Sequence, residues 1–250
     1  DMAAGIVTAS FYSKVERDQS EIVIDKLVEI LNAHNISLYD FFKVFDEENL
    51  PNLNLSRKVY SYFDNRDLDK LIALKKSIND KGTLLYLKVK LIIADFKGKI
   101  DEIPKNKQEE LKGICLKDDI TFQKDFWNIA ISTSLYSFDE LNGIITYIMN
   151  NQAKFDFNND QLLLSLMNLL IRYLDRCYKE QHFGEAKQVG SFINKLPQNT
   201  LIAFHRLIVK YYAALINGEC GLANQIINLI GQNGFHHYVE TLPQIEGEEI

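Results

Sequence analysis

Apolar and polar positions follow a helical period along almost the whole chain. At the front, Phe11, Tyr12 and Val15 recur on one face of a helix predicted over Thr8–Ser20. Thr8 is placed to cap it, because its hydroxyl satisfies a free amide of the first turn. The opposite face shows Ala9, Ser10, Ser13, Lys14 and Arg17, which are small, hydrogen-bonding or cationic. A face of that kind enters a major groove without clashing and donates to phosphates and base edges. Ile24, Leu27, Val28 and Leu31 then stand at i, i+3, i+4 and i+7, an amphipathic helix with one apolar stripe. Asn35-Ile36-Ser37 breaks that helix. Ser37 with Asp40 has the pattern of a capping box and opens a short helix through Phe41 and Phe42.

After Phe45 the pattern changes. Residues 46–52 are polar and include Pro51, so 46–55 reads as a linker between a front domain (1–45) and a long second one (56–240). In the second domain helices come in pairs. First members are predicted near Ser56–Phe63, Leu84–Phe96, Phe122–Tyr136, Gln161–Lys179 and Leu201–Ile216. Second members fall near Leu68–Ile78, Lys105–Gly113, Phe138–Met149, Phe183–Leu196 and Leu222–Ile230. The later pairs begin about 40 residues apart, within the range of helical repeats. The fold class expected is therefore all-α: three short helices at the front followed by an α-solenoid of about five pairs, each burying its apolar face against the next. The acidic end, 241–250, reads as a frayed tail.

Composition adds bounds. The 250 residues are 46% apolar and 25% charged with only 4 Pro, which favours helix over sheet. No apolar run approaches the ~18 residues that span a bilayer, so no membrane partner is expected. Cys115, Cys177 and Cys220 lie far apart without ligand-like spacing and read as free thiols of a reducing, cytoplasmic setting. The net charge of −6 argues against indiscriminate nucleic-acid binding. Residues 1–45 are themselves acidic on balance, so salt-sensitive, dimer-dependent binding is the expectation there.

The front residues carry a resemblance. "FYSKVERDQSEI…KLVEILNAHNISLYDFF" resembles the DNA-binding domain of the Rgg/GadR/MutR regulators of Gram-positive bacteria, a helix-turn-helix of phage-repressor type. The Ser-Lys-Val-Glu-Arg core stands at that family's place relative to the Leu-rich helix and the Ile-Ser-Leu turn. The resemblance implies a first helix upstream of Asp1, which lies within what corresponds to the motif's second helix. Behind it, Asp125-Phe-Trp127 to Phe138-Asp-Glu-Leu141 is loosely similar to the family's tetratricopeptide-like repeat domain. His182-Phe-Gly-Glu-Ala186 echoes that repeat at an inter-helix turn. What the family implies is a homodimeric transcription regulator. It reads double-stranded DNA at its front and takes a short signalling peptide, of the quorum-sensing kind, in the concave groove behind. Some members join protomers by a cysteine near the domain junction; no cysteine lies between Asp1 and Ile114 here.

The polar stripes within the apolar helices name the candidate groove. Ser165, Asn168, Arg172 and Asp175 share one face of the most apolar helix. Asp125, Asn128 and Ser132 lie on one neighbour, and Arg206, Lys210 and Asn217 on another. Asn amides pair with both groups of an extended backbone, and arginines meet carboxylates. The peptide-binding candidates are Asn128, Asn168, Arg172, Arg206 and Lys210. For any one of them, solvation or an inter-helix hydrogen bond is as good an explanation as a ligand. Arg17 either touches phosphate or pairs internally. Trp127 is expected in the core.

Catalytic chemistry has little support. His34, His182, His205, His236 and His237 show no metal spacing, and no Gly-rich phosphate loop is present, so no enzyme activity, metal or cofactor is expected. The competing reading from another class is a helical-repeat interaction scaffold that does not bind DNA, which the acidic front supports.

Overall fold

A computed structural model describes residues 2–42, 51–116 and 123–244, with backbone alone at 51–53 and 123–124. Among the described residues every regular element is a helix, as the periodicity predicts. The chain divides into two compact units, 1–58 and 59–250.

In the first unit, α1 (Ala9–Glu16) starts where Thr8 Oγ1 accepts the Phe11 amide at 3.2 Å. It is shorter than the predicted Thr8–Ser20. Arg17 caps it, and Asp18 turns left-handed at φ +58°, with the Gln19 amide closing on the Lys14 carbonyl at 2.8 Å. Asp tolerates that conformation because its short side chain bonds locally. Next come α2 (Ile24–Ala33), whose Ile30 and Leu31 are buried, and α3, helical over 38–42. Ser37 Oγ accepts the Asp40 amide at 3.0 Å and donates to Asp40 Oδ2 at 2.6 Å, the expected cap. A ring nitrogen of His34, at the end of α2, lies 3.1 Å from the Met2 carbonyl.

The helix α4 (Pro51–Asp64) begins five residues before the predicted Ser56 and takes in the second half of the expected linker; 46–50 lie outside the described residues. Proline is at no disadvantage in a first helical position, where its missing amide has no partner to lose. Beyond it stand α5 (Leu68–Ser77), α6 (Leu84–Phe96), α7 (Lys105–Cys115), α8 (Gln123–Ile131), α9 (Phe138–Asn150), α10 (Asp160–Lys179), α11 (Phe183–Lys195), α12 (Ala203–Asn217), α13 (Cys220–Gln232) and α14 (His236–Glu240).

The second unit is a helical solenoid. The first members α6, α8, α10 and α12 pack side by side, and α5, α7, α9, α11 and α13 back them. In the middle, α10 buries Leu163, Leu166, Leu170 and Tyr173 among others, because α8, α9, α11 and α12 all pack on it. Leu91, Ile103 and Leu111 form a further cluster toward the front. Trp127 is in the core as expected, against Tyr60 and Phe63.

Two differences from the predicted pattern matter. α8 stops at Ile131, short of Tyr136, and a 3-10 turn covers Thr133–Leu135. Ser132 Oγ bonds back to the Asn128 carbonyl at 2.7 Å, a local bond that competes with the helix ladder. The other is α14, which the apolar periodicity does not announce. It packs on α13, and Tyr238 and Leu242 are buried, so the predicted tail is ordered at its start; 245–250 lie outside the described residues.

No described helix is long and apolar enough to cross a membrane. No cluster of metal ligands is found among the described residues.

Candidate functional site

The outward face of α1 carries the first candidate set. Ala9, Ser10, Lys14 and Arg17 are exposed, and Ser13 is half-exposed. At about 100° per residue these five fall in one arc of roughly 140°. Phe11, Tyr12 and Val15 lie opposite and are half-buried, none completely. The first turn holds no acid and the last holds Lys14, so no acid of the helix's own first turn offsets the positive N-terminal end of its dipole. That arrangement suits a polyanion.

The second set lies in the helical row, and here the polar stripe is real but not wet. Asn168 is 9% exposed, Asn128 7%, Ser165 and Asp175 5%. Burial of such groups is tolerable only with hydrogen-bond partners, and Asn168, Asn128 and Asp175 have them. Asn168 Nδ2 donates to Asp64 Oδ1 at 2.9 Å, and its Oδ1 lies 3.3 Å from His205 Nε2. Arg172 pairs with the buried carboxylate of Asp95 and reaches Thr133 Oγ1 at 3.5 Å. Asn128 Oδ1 accepts from Lys88 Nζ at 2.8 Å, with the ammonium over the Trp127 ring. Arg206 does something else: its Nη2 donates to the carbonyls of Leu196 and Pro197, beyond the end of α11. Lys210 is exposed on α12. The structure thus joins Asn168 and Arg172 to acids from α4 and α6, pairs Asn128 of α8 with Lys88 of α6, and gives Arg206 and Lys210 other surroundings.

The electrostatics follow from burial. Asp64 is pushed up to about 7 by loss of water. His205 is pushed down to about 4 for the same reason and is neutral at physiological pH. Its Nε2–H then faces the Asn168 oxygen, and its buried Nδ1 has no protein partner. Asp175 behaves oppositely: burial works to raise it, but Lys179, Arg172 and Arg66 together outweigh burial and hold it low. Its oxygens accept from Lys179 Nζ at 2.7 Å and from the Tyr212 hydroxyl at 2.9 Å. Arg172 Nε, Arg66 Nη2 and Arg206 Nε are buried with no acceptor among the described residues.

Sequence reasoning missed half of this network. Asp95, a lone acid inside the apolar run of α6, is a visible signal. Asp64 is hidden among turn residues, and His205 looks like any isolated histidine. A separate cleft of about 280 Å³ lies between α10, α11 and α12, lined by Ala186, Gly190 and Ala213 among others; Asn217 of the α12 stripe reaches it, and none of the five peptide-binding candidates does.

No family profile matches the chain. Solved structures do. One is a protein from Listeria monocytogenes EGD-e described as a transcriptional regulator: TM-score 0.69, 15% identity, covering 96% of this chain and 87% of that one. Another is the SHP pheromone receptor Rgg2 of Streptococcus dysgalactiae: TM-score 0.69, 16% identity, 96% and 91% covered. A third is PrgX in complex with cCF10: TM-score 0.61, 16% identity, 96% and 90% covered. The chain has the fold of these Rgg-type proteins over nearly its whole length, and the resemblance read at its front is borne out at that level.

Proposed function

We infer that the protein is a DNA-binding transcription regulator of Rgg type whose output is set by a short peptide bound on the inner face of its helical row. The observation that carries the first half is the face of α1: five small, hydroxyl or cationic side chains in one arc, on a helix capped by Thr8. In this reading Ser10, Ser13 and Lys14 meet bases and phosphates, Ala9 stands near a base edge, and Arg17 takes a phosphate. A homodimer sets two such helices into successive major grooves, about one turn apart. Likeness to a pheromone receptor, Rgg2, and to PrgX in its complex with cCF10 supports the second half. The polar network of Asn128, Asn168 and Arg172 is the place for it, and a peptide biases the dimer only by binding one arrangement better than the other.

A mobility-shift assay tests the reading, using duplexes that cover the DNA flanking the protein's own gene. The parent shifts a subset of them, and Lys14→Ala and Ser13→Ala weaken the shift by tenfold or more. Variants that bind as well as the parent remove α1 as the reading helix. No shift with any duplex favours the scaffold reading, which the acidic front supports.

A further inference from the structure

The turn between α4 and α5 meets the end of the helical row. Arg66, at 6% exposure and with a left-handed backbone of φ +53°, sends its guanidinium across to the C-terminal segment. Nη1 donates to Thr241 Oγ1 at 2.8 Å and to the Thr241 carbonyl at 3.3 Å, and the guanidinium lies 4.6 Å over the Tyr238 ring. Tyr238 also packs edge-on against Phe204 of α12, and Phe235 lies 4.8 Å from the same ring. The Tyr238 phenol is close enough to Arg172 and Asp64 to feel both charges. Tyr211 donates to the Pro243 carbonyl, which fixes the segment's far end. One short piece of chain therefore sits against Arg66, Phe204 and Tyr211 and within electrostatic reach of Arg172, which the peptide reading assigns to the ligand: it carries two buried side chains four residues apart, Tyr238 in the single turn of α14 and Leu242 just beyond it.

The surroundings of that piece are those of a ligand site. Its anchors are buried side chains, and its backbone offers carbonyls to an arginine and to a tyrosine hydroxyl of other elements. Among the described residues no hydrogen-bond partner reaches the buried Arg66 Nη2, Arg172 Nε or His205 Nδ1, and each matches a group that a longer peptide backbone supplies. A helix of five residues has almost no stability of its own. It stays because these contacts hold it.

We propose that residues 235–244 are an intramolecular occupant of the peptide site, and that the regulatory ligand is a short peptide that displaces them. The ligand carries an aromatic residue for the place of Tyr238 and an aliphatic one four positions on for the place of Leu242, and it offers a backbone carbonyl to Arg66. It needs no charge, because Arg172 is matched by Asp95 and Asp175 by Lys179. This rests on the peptide-sensing reading above and names the chemistry of its ligand.

The test uses the full chain and a fluorescein-labelled synthetic peptide of residues 235–244. In the parent the tethered segment competes at the high effective concentration that a short connection gives. The peptide therefore binds the Tyr238→Ala chain at least tenfold more tightly than the parent. The same peptide with its own tyrosine replaced by alanine binds neither. Thr241→Val, which removes one acceptor of Arg66 and the hydroxyl's own bond to the Tyr238 carbonyl, gives a smaller gain in the same direction and covers the case in which Tyr238→Ala does not fold. Hydrogen exchange on the parent supplies the second readout: amides of 236–242 exchange before those of α10. Equal affinity for parent and both variants, or exchange of 236–242 only on global unfolding, overturns the proposal. A library of short peptides in which none competes with the labelled segment, where that segment does bind, overturns the peptide-sensing reading instead.

Discussion

Asp64 and Asn168, 104 residues apart in sequence, share a hydrogen bond of 2.9 Å that ties the end of α4 to the middle of α10. The same amide faces His205 with its oxygen. Asn168 is a bridge between a carboxyl held up to about 7 and an imidazole held down to about 4, both by burial. The residue chosen for a peptide is thus a fixed part of the fold, and its amide is released only if a ligand takes over both neighbours.

That bridge makes a pH prediction. For Asp64 the folded value is raised, so its contribution to stability is full below the unfolded value near 4 and is lost as pH rises through about 7. His205 has a lowered folded value, so its contribution is present above about 6.5 and is lost as pH falls toward 4. The two slopes oppose each other between about 4 and 6.5, and the parent is flat there. Asp64→Asn removes one of them. Denaturant titrations then show stability rising with pH across that window, with Asp64→Asn gaining on the parent by at most about 4 kcal/mol near neutrality. A variant whose pH profile parallels the parent's contradicts the assignment.

Arg172 and Asp95 form an ion pair with both side chains largely out of water. Removing one partner strands the other, which costs roughly 3–5 kcal/mol. Arg172→Ala is therefore strongly destabilised, and adding Asp95→Asn restores much of the loss. Equal stability of Arg172→Ala and the parent, measured by chemical denaturation, would show that the pair contributes nothing. Any loss of peptide affinity in Arg172→Ala has to be read beside this result.

Thr8 holds the start of α1 through the Phe11 amide. Thr8→Ala loses that cap, about 1 kcal/mol of helix stability, while Thr8→Ser keeps it. DNA affinity follows the same order, parent and Thr8→Ser together and Thr8→Ala below them. Indistinguishable affinities in a fluorescence titration would detach helix start from function.

Much of this was legible beforehand, and the limits are physical. Periodicity located α6 at Leu84–Phe96 to the residue, because its N-cap Thr83 and the closing Lys97-Gly98 both mark it. It overran α1 and α8, where Asp18 and Ser132 act through conformation and local bonds rather than hydropathy. α14 was invisible, since five residues are too few for a period and its reason for being helical lies in Arg66 and Phe204, far away in sequence. The polar stripes were correctly found on α8 and α10. Their partners Asp64, Asp95 and His205 were not, because pairing across helices is set by packing that no local window contains.

Selection from a random-sequence duplex library tests the central claim most directly. The full chain is the bait at moderate salt, with Lys14→Ala carried through the same rounds. The account predicts enrichment of an inverted repeat with half-sites about one helical turn apart, and weaker, less selective recovery by Lys14→Ala. Recovery of no preferred sequence by the parent, or of the same sequence at equal strength by the variant, would contradict it.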